Sequence, residues 1–510
     1  MRTRMSRVIT VLAILIGLGT GAGSANGQQN GPVFTRSEPL GLVVETRPGA
    51  GEVLDLETCV AEAMVDNDRL QAQRLRMGEL EGMQRQALST GLPTLDLSGS
   101  WRRARDPSFA LGDIFGGGGD GGLALSPPPG ADPWFGEWLD GFSNSFGSLV
   151  PPPGEIPAET YWNANLALHW ELNPVKIMGA TGAASLSIEQ QVSSTIAVEH
   201  ETVEATVAAY FSIIKAAENI QAIRARLANE SELLAITSLR YEMGLATRLD
   251  TLQAAVTVAN TRPELAVAQA RLRNEGGRLN ALLGRRPEAP LKVANNQPLE
   301  MDPLRQETAL GLAQIRPELM ATQLFVDILG KNRQAQKSEL LPYLTMDGAY
   351  GYVGRTADSV FEDGHDTWTA AVALNIPVFD GLLYRGQVEE TDARIRRTEA
   401  ELTGRRRDVQ VEVLEILANL TMAREVLGAV QLNLMRSEEV LDESLLMLQL
   451  GKMNYVDVLV SESNRATARR NVIDARYEVL TLTASLKRAI GYSPMTPLRD
   501  IPGLVAEETP

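Results

Sequence analysis

The sequence predicts an α+β membrane protein. Four β-strands per chain contribute to a shared β-barrel, long coiled-coil helices continue it, and the whole is built from two internal structural repeats. Three observations carry this. Residues 368–491 read as a strand, one very long helix, a turn and a shorter helix, and the same order runs through residues 162–284; Trp368 lies 206 residues after Trp162 and Gly491 lies 207 after Gly284. Four segments alternate apolar with polar or small side chains, as a half-buried strand must. Two segments each read as a single helix of roughly 100 Å at about 1.5 Å per residue, too long for any compact globular domain.

Residues 1–25 read as a secretory signal peptide. Arg2, Arg4 and Arg7 form a basic start, residues 8–18 an apolar run, and Gly23-Ser24-Ala25 a small-residue cleavage site. The apolar run is short of the ~20 residues of a spanning helix. No cysteine follows it that would carry a lipid. The single cysteine, Cys59, rules out an intrachain disulfide. Net charge is −16, and −19 without the three leader arginines, which argues against nucleic acid as a partner. No later segment is apolar enough for a transmembrane helix. A secreted chain can still enter a membrane as a closed barrel, because barrels and helices alone satisfy their backbone groups there.

Residues 26–53 are rich in Gly and Pro and read as extended. A helix is expected from Leu54-Asp55-Leu56-Glu57-Thr58 to about Leu88. After Pro93, Leu95, Leu97, Gly99 and Trp101 share one strand face and Thr94, Asp96, Ser98 and Ser100 the other. Residues 102–161 read as a long loop. Its glycine run at 116–119 lacks a following Gly-Lys-Ser/Thr, so it is no phosphate cradle. Trp134, Phe135, Trp138, Phe142 and Phe146 make part of this loop apolar, suited to the barrel mouth or to the outer leaflet.

The strand at 162–172 sets Trp162, Ala164, Leu166, Leu168, Trp170 and Leu172 against Asn163, Asn165, Ala167, His169 and Glu171. The helix at 175–243 carries Ile220, Leu227, Leu234 and Tyr241 at intervals of seven. A turn at Gly244 leads to a helix at 249–283. Residues 287–307 hold four prolines and read as a linker. The second repeat opens near Thr308 with a helix to about Glu339. A strand follows Pro342, with Leu344, Met346, Gly348, Tyr350 and Tyr352 on one face. The strand at 368–378 places Trp368, Ala370, Val372, Leu374, Ile376 and Val378 together, and about 9–11 such residues span a bilayer when tilted. The helix at 383–450 carries Leu402, Val409 and Ile416, then Val413, Leu420, Leu427, Leu434, Leu441 and Leu448, each in sevens. The chain thus divides into a leader at 1–25, an extended segment at 26–53, repeats at 54–286 and 308–491 around the linker 287–307, and a tail at 492–510.

Four strands cannot close a barrel with a lumen, and an open edge in lipid is prohibitive. Several chains must share one barrel. Three would give twelve strands, within the known range.

Both repeats carry short motifs of one family. They are Leu54-Asp55-Leu56-Glu57 with Ala61, Glu62 and Ala63; Leu92-Pro93, echoed by Leu341-Pro342; Ile376-Pro377-Val378-Phe379-Asp380-Gly381 with Gly386; and Tyr241-Glu242-Met243-Gly244 with Asp250 and Leu252, echoed by Gly451, Asp457 and Leu459. In this order, over residues 54–491, the chain resembles the TolC-type outer-membrane efflux proteins. The first repeat departs from the pattern at Leu172-Asn173-Pro174, which lacks Phe-Asp-Gly. The resemblance implies a homotrimer with a twelve-stranded barrel in the outer membrane and a helical tunnel across the periplasm. The tunnel's lower tip would dock on a periplasmic adaptor (membrane fusion protein) and an inner-membrane pump. The chain would then be the exit duct of a tripartite efflux or type I secretion system.

The candidate site is the pair of helical turns. Gly244 and Gly451 suit the left-handed conformation that ends a helix. Thr247 and Asn454 three residues on are good N-caps, and Asp250 and Asp457 fall at the third helical position, as in a capping box. A tight turn alone would use the same residues. The resemblance adds that Tyr241, Gly244, Thr247, Asp250, Leu252, Gly451, Asn454, Asp457 and Leu459 form the periplasmic end that meets the adaptor and opens as helices unwind. Ser98, Ser100, Asn163, Asn165, Thr345, Asp347, Thr369 and Asn375 are expected to line a wet lumen. Trp101, Trp162, Tyr350, Tyr352 and Trp368 are expected near the lipid interfaces.

Arg394, Arg396, Arg397 and Arg405–Arg407 interleave with Glu399 and Glu401, the pattern of a solvated helix face. The three histidines, His169, His200 and His365, are scattered, and with one cysteine they form no metal-ligand cluster. No nucleophile motif or paired carboxylates stand out, so neither an enzyme nor a cofactor is expected. Two other readings remain open. A structural periplasmic coiled-coil protein would explain the rods but not the strands. An independent porin would explain the strands but not the rods.

Overall fold

The computed structural model describes residues 43–46, 53–104, 128–149, 158–294, 298–356 and 364–505. The signal peptide, most of the extended segment 26–53 and the glycine run lie outside them. In chain order the elements are β1 (Val43–Glu45), β2 (Val53–Leu54), α1 (Leu56–Asp66), α2 (Asp68–Ser89), β3 (Thr94–Ala104), α3 (Pro133–Leu149), β4 (Glu159–Leu172), α4 (Pro174–Glu242), α5 (Arg248–Leu282), β5 (Lys292–Ala294), α6 (Gln306–Ala313), α7 (Pro317–Ser338), β6 (Tyr343–Gly354), β7 (Asp366–Asn375), α8 (Leu383–Gln449) and α9 (Tyr455–Ala489).

The two rods are as long as their pattern requires. α4 has 69 residues and α8 has 67, each roughly 100 Å. Leu402, Val413, Leu420, Leu427, Leu441 and Leu448 of the α8 heptads are buried. α8 packs on α9 and α7, and α4 on α7, α5, α9 and α2. On α4 the spacing by seven fades toward the turn, where Ile220 is buried but Tyr241 is 46% exposed.

Two helices that read as continuous are broken. Asn67 leaves the helical conformation, and its side-chain oxygen accepts from the N–H groups of Arg69 and Leu70 to cap α2. Its Nδ2 donates to the carbonyl of Leu282 at the end of α5, 3.0 Å away. The expected helix from Leu54 to Leu88 is therefore two helices packed on α4, with the break between them tied to the end of α5. The expected helix 308–339 begins earlier, at Gln306, and breaks between α6 and α7, where Pro317 takes the first turn.

The segments read as extended and as linker build a small sheet at this level, in the order β1-β5-β2, with β1 antiparallel and β2 parallel to β5. Most of the apolar core gathers around it. One cluster joins Leu54, Cys59, Val207, Tyr210, Ile213, Ile214, Leu279, Leu283 and Val293. A second joins Val413, Leu420, Leu427, Leu486 and Ile490 to Leu498, Ile501 and Leu504 of the tail. The core thus lies midway along both rods, where the short helices end, so the rods extend as thin wall on either side of a packed belt.

β3, β4, β6 and β7 form one antiparallel sheet in that order. The last strand ends at Asn375, so Ile376, Pro377 and Val378 fall outside it and lead to the start of α8. There Asp380 accepts from the N–H groups of Leu382 at 3.0 Å and Tyr384 at 2.8 Å. The first repeat reaches the same end without Phe-Asp-Gly: Asn173 accepts from Lys176 N at 3.1 Å and Pro174 opens α4. Within the segment 102–161, expected to be loop, the chain forms a helix, α3. Among the described residues no helix is long and apolar enough to cross a membrane.

Candidate functional site

The α4–α5 and α8–α9 turns share one backbone design. Gly244 has φ 73° and Gly451 φ 70°. In the first turn Gly244 N donates to Tyr241 O at 2.9 Å and Leu245 N to Arg240 O at 2.8 Å; in the second, Gly451 N donates to Leu448 O at 3.1 Å and Lys452 N to Met447 O at 2.9 Å. Both are Schellman closures, which satisfy the last helical carbonyls by way of one left-handed residue. Nothing lies within 4 Å of a Cβ built on either glycine, so the backbone conformation alone selects glycine there.

The returning helices start differently. Thr247 and Asp250 form the reciprocal capping box: Asp250 N donates to Thr247 Oγ1 at 3.2 Å and Thr247 N to Asp250 Oδ2 at 2.8 Å. Asn454 occupies the N-cap of α9 without a side-chain bond, and Asp457 N donates to the Asn454 backbone carbonyl instead, at 3.2 Å. The capping box expected in both turns exists in one.

The two turns lie side by side. Leu233, Ala254, Leu441, Leu448, Tyr455 and Val458 form a buried cluster, with Leu459 and Met453 packed on it, and Arg240 Nη2 donates to Leu448 O at 3.4 Å. Burial pushes the Tyr455 phenol up to about 12. Around this knot the tip stays apolar and open: Leu245 is 70% exposed, Leu249 62%, and Tyr241 and Leu252 are exposed as well. Contiguous exposed apolar side chains of this kind mark interaction surfaces.

At the other end of the rods the sheet has two distinct faces. Directly paired residues of an antiparallel sheet project to the same side. Ser98 pairs with Asn165, Ser100 with Asn163, His169 with Asp347, Ala349 with Thr369, and Tyr343 with Asn375. All eight polar residues expected in the lumen therefore share one face, where His169 Nδ1 and Asp347 Oδ1 are 2.6 Å apart. The opposite face holds Leu97, Leu166, Val372 and Leu374. It also gathers Trp101 opposite Trp162 and Tyr350 opposite Trp368 at the end away from the helices. Among the described residues no group of His, Cys, Asp and Glu is arranged to hold a metal ion.

A model of the outer membrane efflux protein family matches residues 144–285 and 311–492, which take in both strand–rod–turn–helix runs. The chain belongs to the outer membrane efflux protein family. Among its family relatives, outer membrane protein TolC of Vibrio cholerae is 22% identical over 289 residues, 56% of this chain and 66% of that protein. The toluene efflux pump outer membrane protein TtgF of Pseudomonas putida is 23% identical over 356 residues, 67% of this chain and 72% of that protein. The chain thus spans about two thirds of the length of the curated relatives it matches. The Campylobacter jejuni CmeC outer membrane channel superposes with a TM-score of 0.71 over 93% of this chain and 96% of that one, at 15% identity. VceC of Vibrio cholerae superposes with a TM-score of 0.69 over 86% and 96%, at 18% identity. These superpositions show an outer-membrane channel fold, strands at one end and long helices below. The family match begins at residue 144, so β3 and most of α3 precede it.

Proposed function

We propose that three copies of this chain complete one twelve-stranded β-barrel in the outer membrane and continue it across the periplasm as a helical tunnel. The assembly is the exit duct of a tripartite efflux or type I secretion system. The observation that carries this is the open sheet. β3 and β7 are its two edges, each paired on one side only, and both adjoin helices of the rod assembly. Unpaired edges in hydrocarbon cost several kcal/mol per group. β3 and β7 run in opposite directions, so β7 of one copy continues antiparallel onto β3 of the next, and a ring of such sheets leaves no edge.

The duplicated order of elements, with repeats at 54–286 and 308–491 about the linker 287–307, gives each copy two strand pairs and two rods. The polar sheet face lines the lumen and the aromatic ends meet lipid. The two turns form the lower tip, where exposed Tyr241, Leu245, Leu249 and Leu252 offer apolar surface to a periplasmic adaptor that recruits an inner-membrane pump. The relatives' names speak of toluene and, for CusC of Escherichia coli and AprF of Pseudomonas aeruginosa, of cation efflux and alkaline protease secretion. A duct that performs no chemistry serves cargo this different, and the choice of cargo then rests with the pump.

The test is membrane fractionation with gel analysis. The chain is expected in the outer-membrane fraction as an oligomer of three that collapses to one chain on heating, and to co-purify with an adaptor. A folded monomer soluble without detergent overturns the reading. A heat-sensitive trimer that binds no adaptor makes it a porin.

A further inference from the structure

We infer that α3 lies on the outer leaflet beside the barrel, with its aromatic face at the boundary between headgroups and acyl chains, and so anchors the mouth of the duct to lipid. The inference rests on the membrane reading above and concerns a segment most of which precedes the family match.

Trp134, Phe135, Trp138, Leu139 and Phe142 recur at the spacing of one helical face, while Glu137 and Asp140 fall on the other. The aromatic rings form a continuous strip. Trp134 meets Phe135 edge-on with centroids 5.8 Å apart, Phe135 stacks on Trp138 at 5.9 Å, and Trp138 on Phe142 at 5.5 Å. The strip is largely exposed: Trp134 is 63% exposed, Trp138 55% and Phe142 46%, with Phe135 and Leu139 half-buried. Aromatic side chains of this size bury about 150–250 Å² each when covered. A strip of several such rings this exposed calls for an occupant.

Three observations select lipid. The first is place. α2 enters β3 and α4 leaves β4 at the same end of the sheet, so the β3–β4 connection lies at the opposite end, outside the cell in the proposed assembly. Only residues 150–158 separate α3 from β4, a tether of at most about 30 Å. The second is a shared end. The Trp101–Trp162 pair, with centroids 6.4 Å apart, closes the apolar sheet face at the end to which α3 is tethered, so on the membrane reading the strip and that aromatic pair belong to the same interface. The third is charge. α3 carries Glu137 and Asp140 and no basic residue. Three copies meeting over the mouth would crowd these carboxylates, whereas a helix lying flat on the bilayer leaves them in water. Tryptophan, with an apolar body and one N–H, is the side chain suited to that depth.

Site-directed spin labelling tests this in phosphatidylethanolamine–phosphatidylglycerol nanodiscs. Cys59 stays in place, because it is fully buried and its thiol is pushed up to about 12, so the parent protein takes no label. Nitroxides are placed by Phe142→Cys on the strip, Asp140→Cys on the opposite face and Leu97→Cys on the apolar sheet face. Collisions with oxygen, which enriches in lipid, are compared with those of a water-soluble nickel chelate. The expected result is oxygen over nickel at 142 and 97, nickel over oxygen at 140, and a shift of 142 toward nickel in the Trp134→Ser/Trp138→Ser background with 97 unmoved. Nickel access at 142 while 97 stays in lipid overturns the inference. So does dipolar broadening between copies at 142, which would mean the strip pairs with itself, and so does shielding of 142 from both reagents, which would mean it folds onto protein. Nickel access at 97 sinks the membrane reading itself, and this inference with it.

Discussion

Arg316 Nη1 lies 2.5 Å from Glu412 Oε2, and this contact ties the break between α6 and α7 to the middle of α8. The other Glu412 oxygen accepts from Arg488 Nη2 on α9 at 2.6 Å, and Arg488 pairs with Glu204 on α4. One carboxylate thus links four helices at the belt where the cores lie. Arg316 is 4% exposed and also reaches Glu318. Burial opposes the Glu318 charge, but the Arg316 guanidinium outweighs it and holds that carboxyl below its usual range.

Removing the shared acceptor leaves Arg316 with Glu318 alone and Arg488 with Glu204 alone. Breaking a buried pair costs about 3–5 kcal/mol, more than the intact pair contributes, because the partner stays buried and uncompensated. The Glu412 side chain is 33% exposed and each arginine keeps a second carboxylate, so the loss is smaller than for an uncompensated charge, and Glu412→Gln is expected to cost about 1–2 kcal/mol. Thermal unfolding of the detergent-solubilised protein reads it. Arg316→Met with Glu412→Leu is expected to recover part of the loss. A Glu412→Gln protein that melts like the parent would show the network to be solvated.

The same cluster predicts an acid limb. His200 is held below its ordinary 6.5, first by burial and then by the charges of Arg488 and Arg316. A histidine with a depressed folded pKa binds its proton better when unfolded. Its contribution is therefore present above about 6.5 and lost as pH falls through and below that value. Glu318 acts in the same direction at lower pH, because its depressed value gives stability that disappears as its carboxyl protonates. Melting temperature should fall from about pH 6.5 downward, and His200→Gln should flatten the upper part of that fall while leaving the part near pH 4. An unchanged profile in the variant would remove His200 from the account.

The caps give a contrast between the turns. Thr247→Ala deletes a bonded N-cap and leaves Asp250 without its partner, a loss of about 1 kcal/mol. Asn454→Ala deletes a side chain that makes no cap bond and should cost a few tenths at most. Amide hydrogen exchange in the first turns of α5 and α9 measures the two separately. Equal deprotection would mean that Asn454 caps α9 after all.

What was legible followed from repetition. The sevens of α8 and the alternation around Trp162 and Trp368 recur often enough to fix long elements to within a few residues. What was not legible was short or masked by composition. β1, β2 and β5 have two or three residues each, too few for any period to show. α3 carries its aromatic strip among Gly136, Gly141 and Gly147, whose low helix propensity made the segment read as loop. The breaks at Asn67 and before Pro317 did leave a signal, a capping asparagine and a first-turn proline. The apolar spacing continues through both and outweighed it. The unequal caps of Thr247 and Asn454 depend on a side-chain rotamer, which no spacing encodes.

Glycines with the same backbone angle should respond oppositely to a methyl group, and this separates folding from gating. Gly284 has φ 69°, and a Cβ there would lie 2.4 Å from the carbonyl oxygen of Asp66, at the break where α1 hands over to α2. Backbone cannot yield as a side-chain tip does, so Gly284→Ala is expected to abolish assembly, seen as loss of the heat-sensitive oligomer. Gly451→Ala meets nothing within 4 Å and costs only the left-handed conformation, about 1–2 kcal/mol confined to the tip. Its oligomer level is expected to match the parent, as is that of Gly244→Ala. If the tip opens by unwinding at these turns, bulkier replacements such as Gly451→Val and Gly244→Val should reduce export with trimer level unchanged. Full export at full trimer level would show that the turns close the helices and have no part in opening the duct.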